Sequence, residues 1–165
     1  KPSKRIFNST LGGGAIFDLG CYPLSFFMLF AKDHTKITIN SKTLSYAPNG
    51  IDDDASAVLN YNNEFTSNIH VSFKRHLNNT CIIHGTKGFI KINEPWFPNL
   101  TSEIEVSSNR HFYLKTINSN LSVYANQIER VSESFINPGA KINLFNIEKS
   151  LINMRLISNW MDNKN

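Results

Sequence analysis

The chain has 165 residues, 41% hydrophobic and 18% charged, proportions of a globular domain able to close a hydrophobic core rather than of a disordered chain. Its net charge of +4 comes from 17 basic residues scattered against 13 acidic ones, and only Lys4-Arg5 and Lys74-Arg75 are adjacent, which argues against a nucleic-acid interface. The longest uncharged apolar run, 19–31, falls short of the roughly 20 residues that cross a bilayer, no basic-then-apolar leader opens the chain, and two isolated cysteines point to a reducing, cytoplasmic setting.

In chain order, residues 1–11 show no apolar period and read as the tail of an interdomain connection. Gly12-Gly13-Gly14 then opens a run from Ala15 to Ala31 that is apolar on nearly every side, as expected of a helix buried between two layers. Pro23 removes one N–H from it, which predicts a kink or a displaced helix start. From Lys36 the period changes to two: Ile37 and Ile39 alternate with polar residues, Val58-Leu59 lies in an extended run ending near Tyr61, and Ile69, Val71 and Phe73 alternate again. Asn62-Asn63 supplies a tight turn between the last two runs. Thr80 to His84 and Phe89 to Asn93 form a hairpin around Gly85-Thr86-Lys87-Gly88, Glu94-Pro95-Trp96-Phe97-Pro98 interrupts the sheet, and Ile104–Val106 and Phe112–Ile117 are the last strands. A helix is predicted over Leu121–Phe135, stopped by Asn137-Pro138-Gly139. A final amphipathic helix, 143–161, places Leu144, Ile147, Leu151, Met154 and Ile157 on one face. The order predicts a single α+β domain over 1–165, an open, largely antiparallel β-sheet with helices packed on one face.

The three glycines lack a preceding strand and the G-x-G-x-x-G spacing of a dinucleotide loop, and Gly85-Thr86-Lys87-Gly88 has the wrong order for a phosphate loop. Glycines at a helix start more often let two backbones pack closely. Asp18 and Tyr22 stand four apart, on the same face of a helix. A carboxylate and a phenol so placed can orient a hydroxyl or carbonyl and move its proton. The alternative is that Asp18 caps a helix while Tyr22 packs in the core, and spacing alone favours it. Asp52-Asp53-Asp54 reads as a solvated turn before a strand rather than a cation loop. The histidines show no helical pairing, so no metal site is expected, and no G-x-S-x-G elbow is present.

The block Leu11-Gly-Gly-Gly-Ala-Ile-Phe-Asp18-Leu-Gly-Cys-Tyr22-Pro-Leu-Ser25 resembles the start of the C-terminal domain in the glucose–fructose oxidoreductase/inositol dehydrogenase (Gfo/Idh/MocA) family. The resemblance continues through Gly50-Ile-Asp-Asp-Asp-Ala-Ser-Ala-Val-Leu, His84-Gly-Thr-Lys-Gly-Phe-Ile-Lys-Ile, Pro95-Trp96 and Met154-Arg155-Leu156, and its flavour is that of the dihydrodiol and xylose dehydrogenase branch. It implies a two-domain enzyme whose N-terminal Rossmann domain binds NAD or NADP and carries a lysine in an E-K-P motif. The present chain would form the substrate wall and a homo-oligomer contact through its sheet. By the same resemblance Tyr22 is the acid/base or substrate-orienting group and Asp18 positions the substrate or the tyrosine. Arg5, Gly13 and Gly14 lie on the substrate or cofactor side. Neither the Rossmann fingerprint nor the E-K-P lysine occurs in the sequence, so the chain reads as a piece beginning at the domain junction. Alone it is expected neither to bind a nicotinamide tightly nor to transfer hydride, and to expose an apolar flank of the 15–31 helix. The rival reading is a non-catalytic dimerisation or ligand-binding module.

Overall fold

The change of apolar period at Lys36 marks the first strand in the computed structural model, which describes residues 5–109, 111–139 and 145–162. Contacts divide the chain into two units, Lys1–Leu77 with Phe145–Asn165, and Asn78–Leu144. The first holds an antiparallel sheet of β1 (Ile37–Tyr46), β2 (Asp52–Tyr61) and β3 (Phe65–Ser72), in that order. Alternation decides its faces: Ala55, Ala57, Leu59, Tyr61, Ile69 and Val71 point inward and are buried, while Thr43, Ser56 and His70 form a polar row across the other side. The predicted Asn62-Asn63 turn is present, with φ of 52° and 58°, and the Asn60 side chain accepts the Asn63 N–H at 2.7 Å.

Against the inner face lie a π-helical turn (Ile16–Gly20), α1 (Cys21–Met28) and α3 (Ile147–Met161). Pro23 is the third residue of α1, which runs on without a break from the π turn through Gly20 in α conformation, so the irregularity expected near the proline takes the form of a π turn immediately before it. Ala15, Ile16, Leu24 and Met28 are buried together with Ile152, Leu156, Ile157 and Trp160. Each fully buried side chain of this size stabilises the fold by about 1.5–3 kcal/mol relative to exposure. Trp160 is 0% exposed, and its indole N–H donates to the Ser56 carbonyl at 3.1 Å, so its polar edge is satisfied. Tyr61 stacks on Phe65 at 4.2 Å, and burial pushes its phenol up to about 12.

The face expected for the last helix is corrected. Ile147 and Leu151 are 81% and 67% exposed and Met154 also faces outward; Ile157 alone of that set is buried, and Leu144 lies outside the described residues. α3 carries two apolar stripes, and the one bearing Trp160 wins because the larger surface is removed from water there. Asn146 caps its start by accepting the Lys149 N–H at 2.9 Å. At its end Lys42 donates to the carbonyls of Asn159, at 2.6 Å, and of Asp162.

The second unit is a four-stranded antiparallel sheet of β4 (Thr80–Gly85), β5 (Gly88–Asn93), β6 (Thr101–Ser108) and β7 (His111–Asn118), followed by α2 (Val123–Ile136). The strands predicted from residue 37 onward are thus antiparallel throughout, and they fall in two sheets. Gly85 pairs with Gly88 across the predicted hairpin. Register places Ile83, Ile90, Val106 and Tyr113 in one cross-strand row and Cys81, Ile92 and Ile104 in the next on the same face. On the opposite face Lys91 donates to Glu105 at 2.7 Å. Ser122 caps α2, whose Tyr124, Ile128, Val131 and Phe135 form an exposed apolar stripe. By length and composition alone, the helical stretch Ser9–Met28 could cross a membrane, but it contributes Ala15, Ile16, Leu24 and Met28 to the core, as a core helix does.

Candidate active site

The glycine block is built around two backbones that touch. The chain makes 3₁₀ turns at Arg5–Phe7 and Ser9–Leu11, then doubles back so that Gly13 lies on the first turn. A Cβ on Gly13 would stand 2.6–2.7 Å from the carbonyl oxygens of Ile6, Arg5 and Asn8. Gly14 has φ +125°, and a Cβ there would overlap Asp52 Oδ1. The close-packing reading of these glycines is the one the geometry supports.

Asp52 explains the second glycine. It stands at the start of β2, only 4% exposed, and its Oδ2 accepts the N–H of Ile16 at 2.6 Å. Burial drives its carboxyl above the ordinary range, against the pull of the backbone N–H groups of Ile16, Asp52 itself and Ala15. Asp52 therefore fills the capping role at the helix start that sequence reasoning considered for Asp18. Asp18 is instead paired with Arg5, whose Nη2 donates to Asp18 Oδ1 at 2.6 Å and whose Nη1 donates to the Gly12 carbonyl at 3.0 Å. The Asp18 N–H donates to Gly14 O at 3.1 Å, so four of the five singled-out residues, Arg5, Gly13, Gly14 and Asp18, meet in one knot. Tyr22 follows in the first turn of α1 and is 39% exposed, at the surface rather than in the core. Beside it, burial and then the Asp18 charge raise the Cys21 thiol.

The knot does not fit a dinucleotide phosphate. The N–H groups of Gly12, Gly13 and Gly14 donate to the carbonyls of Ser9, Asn8 and Ile6 at 3.2, 2.9 and 3.0 Å, and that of Ile16 to Asp52. The Asp52 carboxyl thus already occupies the helix start, and these amides are committed within the fold.

Asp53 and Asp54 also depart from the expected solvated turn. Asp53 accepts the Ser45 hydroxyl at 2.7 Å. Asp54 meets His70 Nε2 at 3.2 Å, the Ser72 hydroxyl at 2.8 Å and Arg75 Nε at 2.9 Å. The acidic run is the beginning of β2, and each carboxylate has its own partners. Asp52 is the residue that sequence reasoning missed. A register shift between Ser45 and Tyr46 moves it off the inward alternation of Ala55, Ala57 and Leu59, so no periodicity marks it as buried. Among the described residues no group of three or more His, Cys, Asp or Glu converges to hold a metal.

Comparison with known proteins places this arrangement. The family model described as the GFO/IDH/MocA C-terminal domain matches residues 1–91. A trans-1,2-dihydrobenzene-1,2-diol dehydrogenase from Xenopus tropicalis is 30% identical over 109 residues, covering 66% of this chain and 32% of that protein. The enzyme of the same name from Mus musculus is 32% identical over 100 residues, 59% of this chain and 28% of its own length. Among solved structures, a 3-ketoreductase from Actinomadura kijaniata in complex with NADP and TDP-benzene is similar with a TM-score of 0.81 at 17% identity, covering 96% of this chain and 48% of that one. An aldose-aldose oxidoreductase from Caulobacter crescentus complexed with glycerol is similar with a TM-score of 0.79 at 17% identity, covering 97% and 48%. The chain thus spans about a third of the length of the curated relatives it matches and about half of the solved chains.

Proposed function

This chain belongs to the GFO/IDH/MocA family as its C-terminal domain, and from that premise we propose that it is the substrate side of a NAD- or NADP-dependent oxidoreductase acting on a secondary alcohol of a sugar, polyol or cyclic diol. The observation that carries the proposal is the exposed Tyr22 phenol, one helical turn beyond an Asp18–Arg5 pair on a locked backbone. Tyr22 holds or releases the proton of the substrate hydroxyl, and Asp18, held in place by its contact with Arg5, orients substrate or phenol. The nicotinamide supplies the hydride chemistry from an N-terminal Rossmann domain of the same protein, because the glycine amides of this chain are committed within the fold. Phe17 in the π turn and Leu29 and Phe30 just past the end of α1 are exposed, which supports a covering domain. Relatives named as dihydrodiol dehydrogenases and neighbours named as a ketoreductase and an aldose oxidoreductase support the substrate class. In this reading 1–165 is one substrate-side domain of a cytoplasmic homo-oligomer associating through a sheet face, and alone it is inactive.

The rival, a non-catalytic dimerisation module, is favoured by one observation, the exposure of Ile90 and Tyr113 in one cross-strand row of the β4–β7 sheet. Steady-state kinetics on the protein encoded by the complete gene separates the two. With a panel of aldoses, polyols and cyclic diols, Tyr22→Phe should lower kcat by about 10²-fold or more with little change in cofactor KM, the range for loss of a general acid–base group. Turnover of no panel member by the parent protein would favour the module, and unchanged kcat in Tyr22→Phe would remove Tyr22 from the chemistry.

A further inference from the structure

We infer that Asp52 is a positioning residue for the Asp18–Tyr22 site, its buried carboxylate and the bare Gly14 forming a joint that fixes where the π-helical turn begins. The inference rests on the proposed role of Asp18 and Tyr22 and adds a residue 34 positions from Asp18 in sequence, on a different element and only 4% exposed.

The segment that carries the site is held to the sheet in two ways. Farther along, Leu24 and Met28 pack into the core, an apolar contact that tolerates small rotations of the helix. At its start the hold is directional: Asp52 Oδ2 accepts the Ile16 N–H at 2.6 Å, from a strand whose neighbouring residues are locked in the ladder with β1 and β3. Ile16 is also the first residue of the π turn. A π turn holds an extra residue relative to an α turn, so its starting residue decides the directions in which Asp18 and then Tyr22 leave the axis. Were the turn to start one residue later, Asp18 would rotate by roughly a quarter turn and leave Arg5. Gly14 closes the joint from the other side, since a side chain there would displace Asp52 Oδ1. The Gly14 carbonyl in turn accepts the Asp18 N–H at 3.1 Å. The carboxylate, the glycine and the site residue are thus linked through successive direct contacts.

The test compares Asp52→Ala, Asp52→Asn, Gly14→Ala and the double variant Gly14→Ala/Asp52→Ala in the full-length protein. Three readings are taken: amide hydrogen exchange at Ile16, the Arg5 side-chain NMR signals that report pairing with Asp18, and kcat against KM. Asp52→Ala should speed exchange at Ile16 about tenfold, the scale of one lost hydrogen bond. It should also weaken the Arg5–Asp18 signature and lower kcat with cofactor KM unchanged. Asp52→Asn, which keeps shape and one acceptor oxygen, should recover part of all three and stands in if the alanine variant does not fold. Gly14→Ala should reproduce the alanine pattern with the added strain of a side chain at φ +125°, and the double variant should lose less than the product of the two single losses. A lowered melting temperature with the Arg5–Asp18 signature and kcat intact would reduce Asp52 to a fold residue and overturn the inference, as would losses that multiply in the double variant. If the parent protein turns over no substrate, the functional proposal falls, while the exchange and Arg5 signals still decide the role of Asp52.

Discussion

Gly13 has no room for a methyl group. Three backbone carbonyl oxygens surround the position, and backbone cannot swing aside as the end of a flexible side chain can. Gly13→Ala should therefore cost about 2–3 kcal/mol, the upper part of the range for overpacking, read as a fall in the urea midpoint at unchanged slope. The aspartates of β2 make opposite pH predictions. Burial works to raise the Asp54 carboxyl, yet hydrogen bonds from Ser72 and His70 and the Arg75 charge together hold it below the usual range. A carboxyl lowered in the folded state stabilises fully above the unfolded value of about 4 and loses that contribution as pH falls through the folded value. Asp54→Asn should accordingly flatten the acid limb of a stability–pH curve. Asp52, raised by burial, has the reverse sign: its contribution is full below about pH 4 and declines as pH rises through the folded value. Asp52→Asn should abolish that decline. At this scale the glycines were legible as close-packed backbone, because wrong spacing ruled out the phosphate loop. Asp52 was not, because its burial depends on a register shift and on a partner 36 residues earlier in the chain.

Among the elements, α3 shows where periodicity misleads. Two stripes at helical spacing compete on it, and a count of apolar positions favours Ile147, Leu151 and Met154, whereas burial selects Ile152, Leu156, Ile157 and Trp160. The indole decides between them, since it removes the most apolar surface and still satisfies its N–H on Ser56. Trp160→Ala should cost about 3–5 kcal/mol in chemical denaturation, and Leu151→Ala, on the exposed stripe, should stay within about 0.5 kcal/mol. The strands were easier to read because a period of two, broken at Asn62-Asn63 and at Gly85 to Gly88, leaves little choice of hairpin. The π turn had no such signature. Pro23 announced an irregularity in the helix, but the extra residue of the π turn is set by the Asp52 contact, which is not local.

For the whole molecule, the α+β class followed from the order of periods, while the division of the strands into two sheets depends on pairings that no local pattern records. Ile90 and Tyr113, in one cross-strand row of the β4–β7 sheet, are exposed apolar side chains on a strand face. If a second copy covers them, Ile90→Glu should convert the full-length oligomer to a monomer in sedimentation without altering Tyr22 chemistry, and an unchanged sedimentation coefficient would place the contact elsewhere. The central claim, that this chain supplies the substrate side and another domain the cofactor, is tested most directly by calorimetric titration of NAD and NADP. The titration is made into this chain alone and into the protein encoded by the complete gene. The account predicts binding to the full-length protein and none to the 165-residue chain. Tight binding by the chain itself would contradict it, and binding by neither would leave the non-catalytic module as the better description.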